Sequence, residues 1–254
     1  MSRIAAEPAE GVERGKRPYL QAALLMGLFT FLFLCTEYLY VDVLSRMVSG
    51  DRAVLAQNEA LGVSAVGFLL YPLAERFGRE RLRLVLTGLA GLLSMGCILL
   101  ICGGTAYRVT FPAGLMFFLL FGLLGGAVFT VAVALMPTER YLARTVWASY
   151  ALGILLQFLS NNLVRSELAE GIVLSVCLLL LVGLLMKSRR ACPAAAEQRQ
   201  ESGKERTVGL LLVLVVALMT CVFSTLDNAV TLVHSSGEMD IGQWPRALLA
   251  LSGL

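Results

Sequence analysis

The sequence predicts an all-α polytopic membrane protein. Two observations carry this. Hydrophobic residues make up 57% of the 254 positions and charged residues only 15%, with a mean hydropathy of +0.77. The apolar residues also fall in repeated runs of about twenty, the length that crosses a hydrocarbon core of ~30 Å at 1.5 Å per residue. In lipid, only helices and closed barrels satisfy their own backbone groups. Barrel strands alternate over about ten residues. The runs here are continuous Leu, Val, Ala and Gly, so they are helices.

Taken in order, residues 1–18 form a polar tail with Glu7, Glu10, Glu13, Arg14, Lys16 and Arg17. The next run, 19–44, is too long for the apolar core of a signal peptide, and no small-residue cleavage site closes it. It is span 1. Span 2 covers 54–74, with Gln57, Asn58 and Glu59 at its start. A charged turn around Gly78 leads to span 3, 82–102, which Gly103-Gly104-Thr105 ends. Span 4 covers 110–136 and stops at Pro137. Spans 5 and 6 cover 145–164 and 171–186.

Residues 187–206 are the longest internal polar stretch and read as a solvated linker. Span 7 follows over 207–233. An eighth apolar run begins at Trp244-Pro245, and Pro suits the first turn of a helix. About ten residues remain after it, roughly 15 Å of helix, too short to cross. The chain is therefore expected to be C-terminally truncated relative to a longer protein. The resulting units are a tail (1–18), a six-helix bundle (19–186), a linker (187–206) and the start of a second bundle (207–254).

The basic residues partition between the two faces. The tail, the turn after span 2, the turn after span 4 and the linker carry sixteen Lys and Arg. The intervening loops carry five, Arg46, Arg52, Arg108, Arg165 and Arg246, which completes the 21 in the chain. The positive-inside rule then places the N-terminus and linker in the cytoplasm of a cell-membrane protein. The net charge of +3 reflects this topology and gives no reason to expect a nucleic-acid partner. Six cysteines lack any C-x-x-C pairing, and five lie inside apolar runs, where Cys behaves as a small hydrophobe. No phosphate loop, metal pair or Ser/His/Asp set is present. The sequence therefore predicts no enzyme, no cofactor and no metal site.

The turn after span 2 reads Tyr71-Pro-Leu-Ala-Glu75-Arg76-Phe77-Gly78-Arg79-Glu80. With six spans, a basic linker and a seventh span, it resembles the major facilitator superfamily, whose motif A reads approximately G-x-x-x-D-R-x-G-R-R. Arg76, Gly78 and Arg79 match it. Glu75 replaces Asp, Tyr71 replaces the first Gly, and Glu80 replaces a basic residue. Pro137-Thr-Glu-Arg140 is similar to the loop after span 4 in that family. The resemblance implies two six-helix bundles around a central site, with Glu75, Arg76, Gly78 and Arg79 as a cytoplasmic gating element. Read without the family, Gly78 permits a reversal at positive φ. The charges around it fix topology or pair with one another, with Glu139 or with lipid phosphates.

Polar residues inside spans are the candidates for transport chemistry, because buried charge is expensive in a membrane. Glu37 lies ~27 Å along span 1, in the outer third of the bilayer. Asp42 sits at its end, as a solvated helix terminus. Asp227 and Asn228 lie at a similar depth in span 7. The stretch around Cys35–Asp42 and the stretch around Asp227 are each followed by a loop and then a Gln, Gln57 or Gln243, a weak repeat offset by about 186 residues. Gln157 and Asn161 share one face of span 5 and either line a cavity or end the helix. Tyr38 and Tyr40 are substrate contacts or interface anchors. Gly122-x-x-x-Gly126 and Ser149-x-x-x-Gly153 permit close helix approach.

Two functions are expected from different classes. One is a secondary active transporter of a small solute, with a proton or another ion as the coupling partner. On this reading the 254-residue chain alone does not transport. The other is a membrane-embedded sensor or anchor whose bundle is joined to a regulatory domain. The lipid bilayer is a partner on either.

Overall fold

The computed structural model describes residues 10–77, 80–104, 106–136, 142–164 and 166–191, and over these it is all-helical. Six helices follow in sequence: α1 (Glu10–Ser45), α2 (Gly50–Phe77), α3 (Glu80–Cys102), α4 (Tyr107–Leu135), α5 (Leu142–Leu163) and α6 (Glu167–Ala191). All six are long and apolar enough to cross a membrane, which makes this a multi-pass membrane protein by length and composition. The expected spans match these helices to within about five residues at each end, except that α1 begins at Glu10, so the last part of the expected polar tail continues the first helix. The seventh span, the eighth run and residues 192–206 of the linker lie outside the described residues.

Contacts between helix ends fix how the chain alternates. Tyr71 near the end of α2 reaches Arg189 near the end of α6, and Gln21 early in α1 bonds Ser188 at 2.6 Å. These mark the basic end of the bundle, where α2 turns into α3. At the opposite end, Tyr40 late in α1 donates to the Phe111 carbonyl early in α4 at 3.3 Å. The turn from α1 to α2 closes there on the Leu44 carbonyl, which accepts from the Met47 and Val48 amides. The Gly103 and Gly104 amides close the end of α3 on the Leu99 and Ile101 carbonyls.

The helices are not equivalent. Over their apolar windows, 56% of both α1 and α4 is buried, against 28–39% for the other four, so α1 and α4 form the central pair. Their seam is aromatic. Phe29 of α1 stacks on Phe121 of α4 with centroids 4.7 Å apart and planes 6° apart. Phe33 meets Phe118 edge-on at 5.5 Å. Such pairs add about 0.5–1.5 kcal/mol each beyond the area they bury. Leucines such as Leu69, Leu89, Leu99 and Leu168 point outward, as bilayer-facing residues do.

The packing has an internal regularity. Exchange α1, α2, α3 with α4, α5, α6, and the contact pattern maps largely onto itself. The α2–α4 contact becomes α5–α1, α3–α4 becomes α6–α1, and α1–α3 becomes α4–α6, and all of these occur. The α1–α4 and α3–α6 contacts are their own images. The α3–α4 contact is more extensive than its image α6–α1, and α1–α2 has no comparable counterpart. Three is odd, so the second triplet enters the bilayer from the face opposite the first. The relation is an inverted repeat.

Glycines set the two equivalent crossings. A Cβ on Gly122 of α4 would lie 2.1 Å from the Ser64 carbonyl oxygen of α2, and one on Gly67 would lie 2.3 Å from that of Leu119. At the partner crossing, a Cβ on Gly153 of α5 would lie 2.8 Å from Thr30 Cβ, and one on Gly27 2.8 Å from Leu152 Cδ2. Backbones approach this closely only where side chains are absent. The two spacings singled out in the sequence therefore sit at both crossings.

Candidate functional site

The motif-like turn is built around Tyr71. Its hydroxyl donates to Glu75 Oε1, one helical turn later, at 2.9 Å. Arg189 Nη2 of α6 donates to the same hydroxyl, and its guanidinium carbon lies 5.6 Å from the Tyr71 ring centroid. Arg83 of α3 pairs with Glu75 at 3.8 Å. The chain Arg189–Tyr71–Glu75–Arg83 thus ties three helices together at the basic end. A fourth joins from behind, because a Cβ on Gly126 of α4 would lie 2.5 Å from Tyr71 Cβ. The phenol stands where the motif has Gly, and Gly126 supplies the room it needs.

Gly78 and Arg79 lie outside the described residues, and Arg76 is described only as helical backbone. Glu139 lies outside as well.

Glu37 is half-buried on α1, and its Oε1 accepts a hydrogen bond from Gln57 Nε2 of α2 at 2.6 Å. The bond joins two residues that the weak sequence repeat had marked. Their expected counterparts, Asp227 with Asn228, and Gln243, lie outside the described residues. Gln157 is buried on α5, and Asn161, one turn on, is half-buried. Asn162 instead returns to its own helix, donating to the Phe158 carbonyl at 2.7 Å. Gln157 and Asn161 thus lie on α5, and the Glu37–Gln57 bond joins α1 to α2.

Tyr40 corrects an expectation. Its ring is wholly buried, packed against Gly114 and Phe118, and its hydroxyl donates to a backbone carbonyl. It is a core residue of this bundle rather than an interface anchor. Tyr38, half-exposed, keeps its place on the surface of α1.

Two features were not anticipated. The first is Arg189, counted in the sequence with the solvated linker. The helix α6 runs on to Ala191, so the residue is carried back to Tyr71. The available signal was the lack of any helix breaker between Met186 and Pro193. The second is Arg46, in the turn between α1 and α2. It donates to Asp42 Oδ2 at 2.6 Å and to Glu167 at the start of α6. The bond to Glu167, and then the charge of Asp42, push its guanidinium pKa up further. Asp42 is thus an exposed helix-end acid in an ion pair. All three groups are substantially exposed, so the cluster is weak.

Among the described residues, no group of three His, Cys, Asp or Glu is placed to hold a metal. The polar groups present are suited to binding charge and to coupling helix ends. Set against family models, curated proteins and solved structures, the chain matches none.

Proposed function

We propose that this bundle is one half of a secondary active transporter of the facilitator type, moving a small solute by alternating access, with its N-terminus and basic end in the cytoplasm of a cell membrane. One observation carries the reading: the inverted repeat of three helices with three. Such repeats nested within six-helix halves are the architecture of rocking transporters, where the paired elements bind and release at a shared central site. The skew of basic residues towards one face supports the orientation. The Arg189–Tyr71–Glu75–Arg83 chain supports a gating role for the turn after α2, since opening that end would separate the groups.

Glu37 is the group proposed to carry a coupling proton, with Asp227 its counterpart in a second bundle. Gln157, Asn161 and Asn228 are proposed solute contacts. The test is uptake of a panel of labelled sugars, amino acids and organic anions by cells expressing the native gene product, with and without a proton gradient. Gradient-dependent accumulation of one solute is expected. No difference from cells lacking the gene for any solute class would count against the reading.

One observation favours the second reading, a sensor or anchor module. The central α1–α4 seam is filled by phenylalanines and carries no charge. Ligand-dependent signalling without uptake, in the same cells, would select it.

A further inference from the structure

Beside the Tyr71 network lies a cavity of about 210 Å³ between α2, α3 and α4, with the end of α6 at its rim. Its polarity is one-sided. Arg83, Arg189 and Glu75 stand at the basic end, and the wall below them is apolar, formed by residues such as Ala90, Leu93 and Leu123. Leu93 and its neighbour one turn back, Leu89, are about half exposed, so the cavity opens sideways on the bundle surface that faces lipid.

Dimensions and charge decide the occupant. From Arg83 to Leu93 is ten residues, ~15 Å along α3, which is half of a ~30 Å hydrocarbon core. The groove therefore runs from the interface to mid-membrane, the depth of one leaflet. Its volume is below the ~300–1,000 Å³ of pockets that enclose a drug-sized solute. A solute site would need polar groups at its deep end, and below the rim this groove has only the Thr87 hydroxyl, which donates to the Arg83 carbonyl at 2.8 Å. The rim holds two guanidiniums against one carboxylate, and that carboxylate already accepts from Tyr71 and pairs with Arg83. Arg189 faces a phenol oxygen and no carboxylate among the described residues. Arg81 and Lys187 add exposed positive charge at the same end.

We infer that this groove is a binding site for an anionic phospholipid of the adjoining leaflet, its phosphate at Arg83 and Arg189 and one acyl chain along α3 and α4. Basic pockets between helices on the cytoplasmic side take anionic headgroups in this way. The inference needs only that the bundle sits in a membrane and stands apart from the transport reading. A bound lipid would occupy the groove next to Tyr71 and brace the link from α6 to α2.

The experiment places the full chain in phosphatidylcholine nanodiscs holding a small fraction of spin-labelled phosphatidylglycerol or spin-labelled phosphatidylcholine. The immobilised fraction of each is read by electron paramagnetic resonance. The native protein should immobilise phosphatidylglycerol preferentially. The preference should fall about fivefold for each arginine removed in Arg83→Gln and Arg189→Gln. Filling the groove with Ala90→Phe should remove it while both arginines remain. Ala90→Leu, a smaller filling, covers failure of the Phe variant to fold. Equal immobilisation of the two lipids by the native protein would overturn the inference. So would full preference in either the double Gln variant or the filled variant, because the selectivity would then belong to the general lipid annulus. Displacement of the labelled lipid by inorganic phosphate alone would overturn the acyl-chain part, leaving an anion site at the rim.

Discussion

Arg189, in the last turn of α6, donates a hydrogen bond to the hydroxyl of Tyr71 on α2 and lies over the same ring. Tyr71 Cβ in turn rests on Gly126 of α4. Tyr71 is thus the hub of the basic end. Tyr71→Phe keeps the ring and removes both hydrogen bonds. It should cost about 1–3 kcal/mol, since bonds to charged groups are stronger than average but those between membrane helices are weaker than expected. Tyr71→Gly would install the motif's own residue and should be worse, about 3–5 kcal/mol, because it leaves an aromatic-sized void. Thermal unfolding in detergent, followed by size-exclusion fluorescence, ranks the two. If Tyr71→Gly equals or exceeds the native protein in stability, the hub role fails.

The glycine crossings give a second, internally controlled prediction. Gly122→Ala puts a methyl group against the Ser64 carbonyl, a backbone atom that cannot swing aside. The helices must separate, and overpacking of this kind costs about 1–3 kcal/mol or more. Gly62 and Gly88 also lie in α2 and α3, yet a Cβ at either meets nothing within 4 Å. Alanine there should be neutral or stabilising by about 0.5–1 kcal/mol, through helix propensity alone. The same unfolding assay on the three variants checks this, and equal behaviour of all three would refute the crossing geometry.

These features differ in how far they were legible. Span positions were, because run length against bilayer thickness is a one-dimensional property. The expected span 4, 110–136, and the observed α4, Tyr107–Leu135, differ by three residues and one. Which face of each span looks inward was not. Lipid tails and protein interior are both apolar, so hydropathy does not separate Leu89, facing out, from Leu181, buried. Small residues were the usable signal, and Gly122 and Gly153 did mark two crossings. The inverted repeat left little trace in residue identities beyond these glycines. It exists in the contacts, where Gly27 with Gly153 plays the part of Gly122 with Gly67. Tyr40 was misplaced because a tyrosine near a span end suits either a boundary or a core, and its partner, a backbone carbonyl, has no sequence mark. Arg189 was lost to the linker because charge runs are read as solvent, while a helix carries them on past the apolar stretch.

Glu37 offers a functional prediction. Its carboxylate is half-buried and bonded to Gln57. If it carries the coupling proton, Glu37→Gln should abolish gradient-driven uptake and flatten the pH profile, while solute exchange without net proton movement persists. Gln57→Leu should shift the profile without flattening it, because the titrating group remains. Asp227→Asn, treated the same way, asks whether a second acid shares the task. Unchanged pH dependence in both acid variants would remove the proton role from these residues.

The last prediction concerns orientation, which the charge tally alone supports. Sixteen of the 21 basic residues belong to the tail, the α2–α3 turn, the α4–α5 turn and the linker, which an alternating topology assigns to one side. On the positive-inside rule those turns face the cytoplasm. In a background with the six native cysteines replaced, single cysteines at Gly78 and Thr138 should react with a membrane-impermeant maleimide only in inside-out vesicles. Cysteines at Gly50 and Thr105 should react only from the other face. The pairs bracket successive helices, so the pattern must alternate if α2, α3 and α4 each cross once. Uniform labelling from one face would remove the crossings. A fully inverted pattern would keep the six spans but place the Tyr71 network outside, and with it the groove between Arg83 and Arg189.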